Sequence, residues 1–454
     1  MPGKEMLADI TKLKRRIKGK IVLPTHQQYQ QSCQLFNRAV HQTPAMFVKV
    51  RQASDIRHAL EYARKHGLPV NVRGGGHSAC GSCLVTDGMT IDMRELNGVA
   101  VSAQKKQARV SAGALLHEVD KATHGHNLAL PQGTCRTVGV VGSTLGGGIG
   151  LLSRQYGLIA DNVERITMLN AAGEFMQIDH QQHAELFWAL RGAGANQYGV
   201  ITQIDYRIHR IPTIIYGGTI SWPIKVAKDI FQRYRDLLAD ASDDLSMYAF
   251  IPHSPRSDAV VSLFGFYLAD SKESERLFNE IQDWSPPIHT DLGFRPYLDL
   301  QSAHYEEELA VYWKHGFISG QLTDELIDIF IESFHRCPDN GGGIMLDPLG
   351  GAVNRVDKSA TAFIHRDSEY ICSITGLYSG RFMPERIKDW VRQTYQTMSP
   401  FFNGLAYQNY EDFELEEPQC YYGEHVDRLR QVKAKYDPDN VFCGSLTRKK
   451  DSLF

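Results

Sequence analysis

The sequence predicts an α+β protein in two parts, and three observations carry that reading. From Ala45 to about Arg207, short apolar runs alternate with amphipathic helices. After Pro212 the apolar runs take on strand alternation with aromatics, between long polar helices. Three glycine-rich segments interrupt the first part.

In the first part, AMFVKVR reads as a strand and SDIRHALEYARKHG as a helix. Ile56, Leu60 and Ala63 share one face of that helix, Gly67 is its stop signal and Pro69 follows. The next strand, LPVNVR, delivers Gly74, Gly75, Gly76 and His77 at its carboxyl end. ERITMLNAAGEFMQID reads as a hairpin turning at Ala172-Gly173, HAELFWALRG as a helix and GVITQIDYRIH as a strand. Beyond Pro212, GGTISWPI, MYAFIPH and AVVSLFGFYL are expected strands, and Ser271 to Trp284, Thr323 to Arg336 and Pro384 to Thr397 expected helices. They imply a second domain over residues 212–402, an antiparallel sheet covered by helices. In the tail, YYGEHVDRLRQVKAKYDP reads as one helix ended by Pro438.

A chain of 454 residues with ordinary apolar content has room for a large core. Its net charge of −3, without a dense Lys/Arg tract, gives no reason to expect nucleic acid or an anionic membrane as partner. The amino terminus lacks the apolar region and cleavage site of a secretory signal, and no run approaches ~20 apolar residues, so a cytoplasmic location is expected. Eight cysteines scattered over so long a chain argue against a disulfide framework and read mostly as buried thiols. Cys80 and Cys83 form CGSC, but no second CxxC accompanies them. Free thiols are favoured over a zinc site or redox dithiol, and no metal is expected.

The glycine-rich segments are RGGGHS (Arg73 to Ser78), GTCRTVGVVGSTLGGGIG (Gly133 to Gly150) and RGAGANQYGV (Arg191 to Val200). Glycine reaches backbone angles closed to other residues and exposes N–H groups to phosphate oxygens. Any one such loop is more often only a tight turn. None fits GxxxxGK[ST], which disfavours a phosphate-transferring P-loop, and GGGIG lacks the G-x-G-x-x-G spacing of an ordinary Rossmann site. His77, just after three glycines, sits where backbone approaches a phosphate closely and is a candidate anchor for a nucleotide cofactor.

The order RGGGHS, GTCRTVGVVGSTLGGGIGLLSRQYGLIADNV, LFWALRGAGANQYGVIT, YQNYEDF and RLRQVKAKYDPDNVF resembles the berberine bridge enzyme-like flavoprotein oxidases, of the vanillyl-alcohol oxidase and p-cresol methylhydroxylase (PCMH) superfamily. The similarity runs from about residue 22 to 443 and is weakest between these motifs, in the segment that would select substrate. The resemblance implies a two-domain PCMH-type FAD-binding fold. Residues 1–211 and 403–454 would form the FAD-binding domain, and 212–402 the substrate-binding domain.

It also implies covalent FAD, through His77 to a ring methyl of the flavin and through Cys135 of GTCRTVG to a carbon of the same ring. Relatives without that cysteine use histidine alone, so Cys135 is either the second anchor or an unlinked thiol. Around the cofactor the resemblance carries over Arg73, Gly74, Gly75, Gly76, Ser78, Gly133, Gly139, Gly142, Ser143, Gly146, Gly147, Gly148, Gly150, Asp161, Asn162, Val200 and Asn409, with backbone donors for phosphate. Val138 matches a small residue that accompanies oxygen reactivity.

Tyr410 matches the tyrosine many relatives use as general base. An ordinary phenol of pKa ~10 needs a partner or a field to serve so, and the alternative is a buried hydroxyl at the domain interface. Asp347, in LDPLGG, resembles an acidic position that assists such a tyrosine. Tyr297, Tyr312, Trp313, Phe363 and Tyr370 either line a pocket or belong to the core, and His365-Arg366, after an expected strand TAFI, reads as structural. The implied function is oxidation of an alcohol or C–H group of a bulky substrate (oligosaccharide, alkaloid or polyketide-like) by hydride transfer to FAD, with dioxygen as acceptor and hydrogen peroxide as product. The alternatives are a dehydrogenase using a quinone or protein acceptor, and a flavin-binding protein without catalysis. Nothing in the sequence fixes an oligomeric state.

Overall fold

A computed structural model describes residues 4–252, 259–268, 271–302, 309–338, 341–380, 382–415 and 417–447. The helix Ala53–His66 buries Ile56, Leu60 and Ala63 as their spacing requires. Gly67 ends it at φ +62°, donating its N–H to Arg64 O at 3.3 Å. The strand Val70–Arg73 follows and joins a four-stranded sheet, beside Met89–Asp92, then Met46–Lys49, then Lys20–Val22. Two of its three pairings are parallel, and the Lys20–Val22 edge pairs antiparallel.

A second, five-stranded antiparallel sheet runs Val99–Ser102, Gln107–Ser111, Val200–Arg207, Val163–Leu169, Phe175–Ile178. The last two strands are the expected hairpin, closed where Gly173 at φ +81° donates to Asn170 O at 2.9 Å. The tail returns to this half of the molecule. Val70 N–H donates to Val441 O at 3.0 Å, and Tyr421, Leu429, Val432 and Phe442 share one apolar cluster with Ile56, Val70, Ile91 and Ile204.

Residues 215–378 form a seven-stranded antiparallel sheet, in spatial order His289–Arg295, Ile215–Pro223, Val260–Tyr267, Leu245–Ile251, Gly342–Pro348, Tyr370–Tyr378, Ala310–Ile318. Side chains alternate across a strand. Trp222, Met247, Leu263, Leu346 and Ile374 therefore meet the helices Ala227–Asp240, Asp324–His335 and Glu385–Met398 in one core. Residues of opposite parity look the other way: Trp313, His315 and Phe317 stand across from Thr375, Ser373 and Ile371, and Asp347 across from Ile371. That face closes on the first half, where Phe317 and Ile371 pack with Ile149 and Leu158, and Tyr248 and Phe264 with Leu151 and Leu152.

Two expected elements are corrected. TAFI is no strand: Phe363 and Ile364 are buried, but Ala362 N–H goes to Trp188 O at 3.2 Å instead of to a sheet neighbour. The tail helix is broken, because Gly423 at φ +48° separates a short turn, Gln419–Tyr422, from Val426–Tyr436. Among the described residues no helix is long and apolar enough to cross a membrane, and no cluster of His, Cys, Asp or Glu has metal-binding form.

Candidate active site

The site begins where two glycine-rich loops touch. A Cβ on Gly75 would lie 2.3 Å from the backbone N of Gly139 and 2.5 Å from Thr137 O, so only glycine admits this approach. The contact brings His77 against the 135–137 turn. His77 Nε2 lies 2.6 Å from Thr137 Oγ1, and Nδ1 lies 3.9 Å from Cys135 Sγ. Phe36 stacks on the imidazole at 4.7 Å between centroids and 10° between planes.

The residues fit a bound FAD by one direct test. A Cβ added to Gly142 meets nothing within 4 Å, so this glycine borders open space, and at Gly74 and Gly133 a Cβ would make only ordinary contacts, at 3.8 and 3.5 Å. Two side chains of nucleophilic type sit at one end of that cradle.

Other expected contacts lie behind the cradle. The N–H groups of Gly146, Gly147, Gly148 and Gly150, expected as phosphate donors, are bonded within the protein to Ser143 O, Thr144 O, Tyr407 Oη and Ser153 Oγ. Their smallness serves packing: a Cβ would strike Asn409, Phe363, Ile159 and Gln132 respectively. Arg73, expected near the pyrophosphate, is buried and donates to the carbonyls of Ser32 and Gln34. Asp161 takes both guanidinium arms of Arg366, at 2.6 and 2.8 Å, and Asn162 donates to Tyr156 O and Leu158 O. Val200 is fully buried in the first core. Asn409 donates to Ser143 O at 2.9 Å and Tyr407 Oη at 2.8 Å, stapling the tail to the glycine-rich 133–150 segment. Ser78 donates to Glu411 at 2.7 Å, joining the His77 loop to the Tyr410 segment.

Tyr410 comes from the short turn Gln408–Tyr410 and Asp347 from the sheet strand Gly342–Pro348, and the fold brings them together. Tyr410 Oη donates to Asp347 Oδ2 at 3.5 Å. The phenol ring lies on Trp313 at 4.0 Å and 28°, with Tyr407 and His315 edge-on at 4.9 and 5.7 Å.

Burial pushes the Asp347 carboxyl up to about 7, against the opposing pull of the Tyr410 hydrogen bond. Burial and then the Asp347 charge hold Tyr410 well above the usual phenol value, with lesser contributions from Tyr407, Tyr248 and Cys135. The expected partner therefore does not lower the tyrosine; it is the carboxylate that titrates near neutrality. His315 is pushed down to about 3, first by burial and then by Lys314, and its neutral Nε2 accepts Tyr407 N–H at 2.6 Å. Asp347 Oδ1 and Trp313 Nε1 have no protein partner here although buried.

Of the other aromatics, Tyr297, Tyr312, Phe363 and Tyr370 are buried packing residues; Trp313 alone of that set stacks on Tyr410. None of the eight cysteines forms a disulfide: Cys80, Cys83, Cys337 and Cys372 are buried, the other four half-buried. Sequence reasoning missed Phe36, Thr137 and His315. The alternation in AVYWKHGFI was the one signal that placed Trp313 and His315 on a common face.

Comparison with known proteins agrees at both ends of the chain. A family model for an FAD binding domain matches residues 44–179, and the model described as berberine and berberine like matches residues 406–445. An uncharacterised FAD-linked oxidoreductase of Bacillus subtilis is 28% identical, covering 94% of this chain and 96% of its own. The (R)-6-hydroxynicotine oxidase of Paenarthrobacter nicotinovorans is 24% identical over 94% and 95%. Among solved structures, berberine bridge enzyme-like 1 of Physcomitrella patens superposes with a TM-score of 0.89 at 24% identity, over 97% of this chain and 99% of that one. In its two matched segments, its full-length relatives and its fold, the chain resembles the berberine bridge enzyme-like, PCMH-type FAD-linked oxidoreductases.

Proposed function

We propose that this FAD-linked oxidoreductase is an oxidase carrying FAD on His77 and Cys135, and that it oxidises an alcohol or C–H group of a bulky substrate with dioxygen as acceptor. Residues 1–211 and 403–454 hold the cofactor in this reading, and 212–402 receive the substrate. One observation carries it: the Tyr410–Asp347 pair, with a carboxyl that titrates near 7, stands within electrostatic reach of Cys135.

Bound FAD supplies the two-electron redox chemistry. The chain supplies the proton handling. Above about pH 7 Asp347 is a carboxylate that accepts the Tyr410 hydrogen bond. As the substrate hydroxyl or acidic carbon loses its proton to Tyr410 Oη, the tyrosine's own proton passes to Asp347 Oδ2, so no free phenolate need form beforehand. Trp313, face to face with the ring, holds Oη on this line. His315 stays neutral and fixes the backbone at Tyr407.

Val138 is half-buried in the turn that contacts Gly75, and its small side chain favours access of dioxygen. A panel of oligosaccharides, alkaloid-like amines and polyphenols, scored by anaerobic bleaching of the flavin, identifies the substrate class. Mixing the bleached protein with aerated buffer should regenerate the yellow form faster than turnover and yield peroxide. Reoxidation slower than turnover means that a quinone or protein accepts the electrons instead.

A further inference from the structure

The strand Ala310–Ile318 is an edge of the seven-stranded sheet, and residues 410–414 wrap around that edge. On the face toward the first half, Tyr410 touches Trp313 and His315. On the opposite face, Lys314 Nζ binds Asp412 Oδ2 at 2.7 Å and Glu414 Oε2 at 2.9 Å. The Lys314 and Asp412 side chains are only 6% and 3% exposed.

The strap is secured further on that outer side. Phe413 stacks on Tyr312, whose Oη donates to Glu414 at 2.6 Å, and Arg392 of the neighbouring helix donates to the same carboxylate at 2.7 Å. Glu414 N–H donates to Asp412 Oδ1 at 2.9 Å, so both oxygens of Asp412 are bound. Consecutive residues of one strand thus grip the strap from both faces, because the strand period is two. A buried lysine between two carboxylates is held by charge-assisted bonds worth more than neutral ones. A partnerless Asp412 would be strongly destabilising there.

We infer that Lys314 is a positioning residue for Tyr410: through Asp412, on the far face of the edge strand, it fixes the strap that holds the phenol against Trp313 and within reach of Asp347. The inference rests on the reading of Tyr410 as proton acceptor. Lys314 acts through the chain: it is not among the groups with the largest influence on Tyr410, which are Asp347, Tyr407, Tyr248 and Cys135.

The test needs no substrate. In flavin-loaded protein labelled with 13C at tyrosine Cζ, the Tyr410 signal, assigned by its loss in Tyr410→Phe, should show an inflection near pH 7 as Asp347 titrates beside it. Lys314→Met should shrink that inflection to less than half, and Lys314→Arg, which keeps the charge, should retain most of it. The double change Lys314→Met with Asp412→Leu leaves no buried lone charge and should show the same loss. A full inflection in Lys314→Met, its return in the double variant, or a displaced midpoint at full amplitude would each overturn the inference. Absence of the inflection in the unaltered protein strikes the Tyr410–Asp347 reading instead, which keeps the two failures apart.

Discussion

The glycine-rich loops and the inner face of the seven-stranded sheet meet at one site but are built on opposite terms. At the loops, backbone touches backbone: Gly75 and Gly139 leave no room for a Cβ, and this absence of side chains brings His77 to Cys135. At the sheet, large side chains do the placing. Trp313 underlies Tyr410, His315 and Tyr407 border it, and Asp347 receives its hydrogen bond. The loops gain their geometry from steric necessity, the sheet from packing of residues distant in sequence. Changes at the loops should therefore alter cofactor attachment, and changes at the sheet should alter proton transfer.

The largest separation of the two is expected from Tyr410→Phe. It should slow substrate-driven bleaching by about 10²–10⁴-fold, the usual worth of a positioned proton-transfer group, while leaving flavin attachment unchanged. Stopped-flow absorbance and denaturing gels read both.

The seam between the regions is tested by Arg366→Met, which strands Asp161 in a buried position (side chains 2% and 8% exposed). Unfolding should become easier by about 3–5 kcal/mol, as breaking one partner of a buried pair generally does. A denaturant midpoint shifted by no more than an exposed pair's worth would show that the seam does not depend on this bridge.

Gly75→Ala should shift the loop contact at about 1–3 kcal/mol, because the new Cβ meets backbone that must move. Its signature is a lower fraction of covalent flavin at unchanged Tyr410 behaviour.

Asp347→Asn sharpens the sheet side alone. The folded-state pKa of about 7 lies above the ordinary carboxylate value of ~3.9. Two consequences follow with opposite signs. Bleaching by the unaltered protein should rise with pH through 7 as the carboxylate forms, whereas the stability contributed by the neutral acid, complete below about pH 4, is lost as pH rises through 7. The asparagine variant should show neither slope and should run roughly tenfold slower at pH 8, a smaller loss than Tyr410→Phe because asparagine can still orient the phenol.

The same contrast explains what was legible in the sequence. Gly67, Gly173 and the 73–78 loop announce themselves because only glycine satisfies the local backbone, and the 53–66 helix because its buried face repeats every turn. The resemblance carried over His77 and Cys135 as cofactor residues and Tyr410 with Asp347 as a proton-handling pair. Their neighbours Phe36, Thr137 and His315 carried little local signal, since each is an ordinary residue type made special by a contact across tens of positions. Arg73, Asp161 and the Gly146–Gly150 segment are constrained by protein partners, and local sequence does not distinguish a glycine that faces a ligand from one that faces Phe363. Thr361 to Ile364 has a strand's composition, yet its hydrogen bonding is decided by Trp188 and Arg366.

If FAD is carried on His77 and Cys135 as proposed, the loop contact presents two nucleophiles to one flavin. Mass spectrometry of tryptic peptides from acid-denatured protein tests it most directly. A single cross-linked species is expected, in which the His77 and Cys135 peptides share one FAD, reduced to the His77 peptide alone in Cys135→Ala. Flavin released free on denaturation, or carried by a peptide containing neither residue, would contradict it.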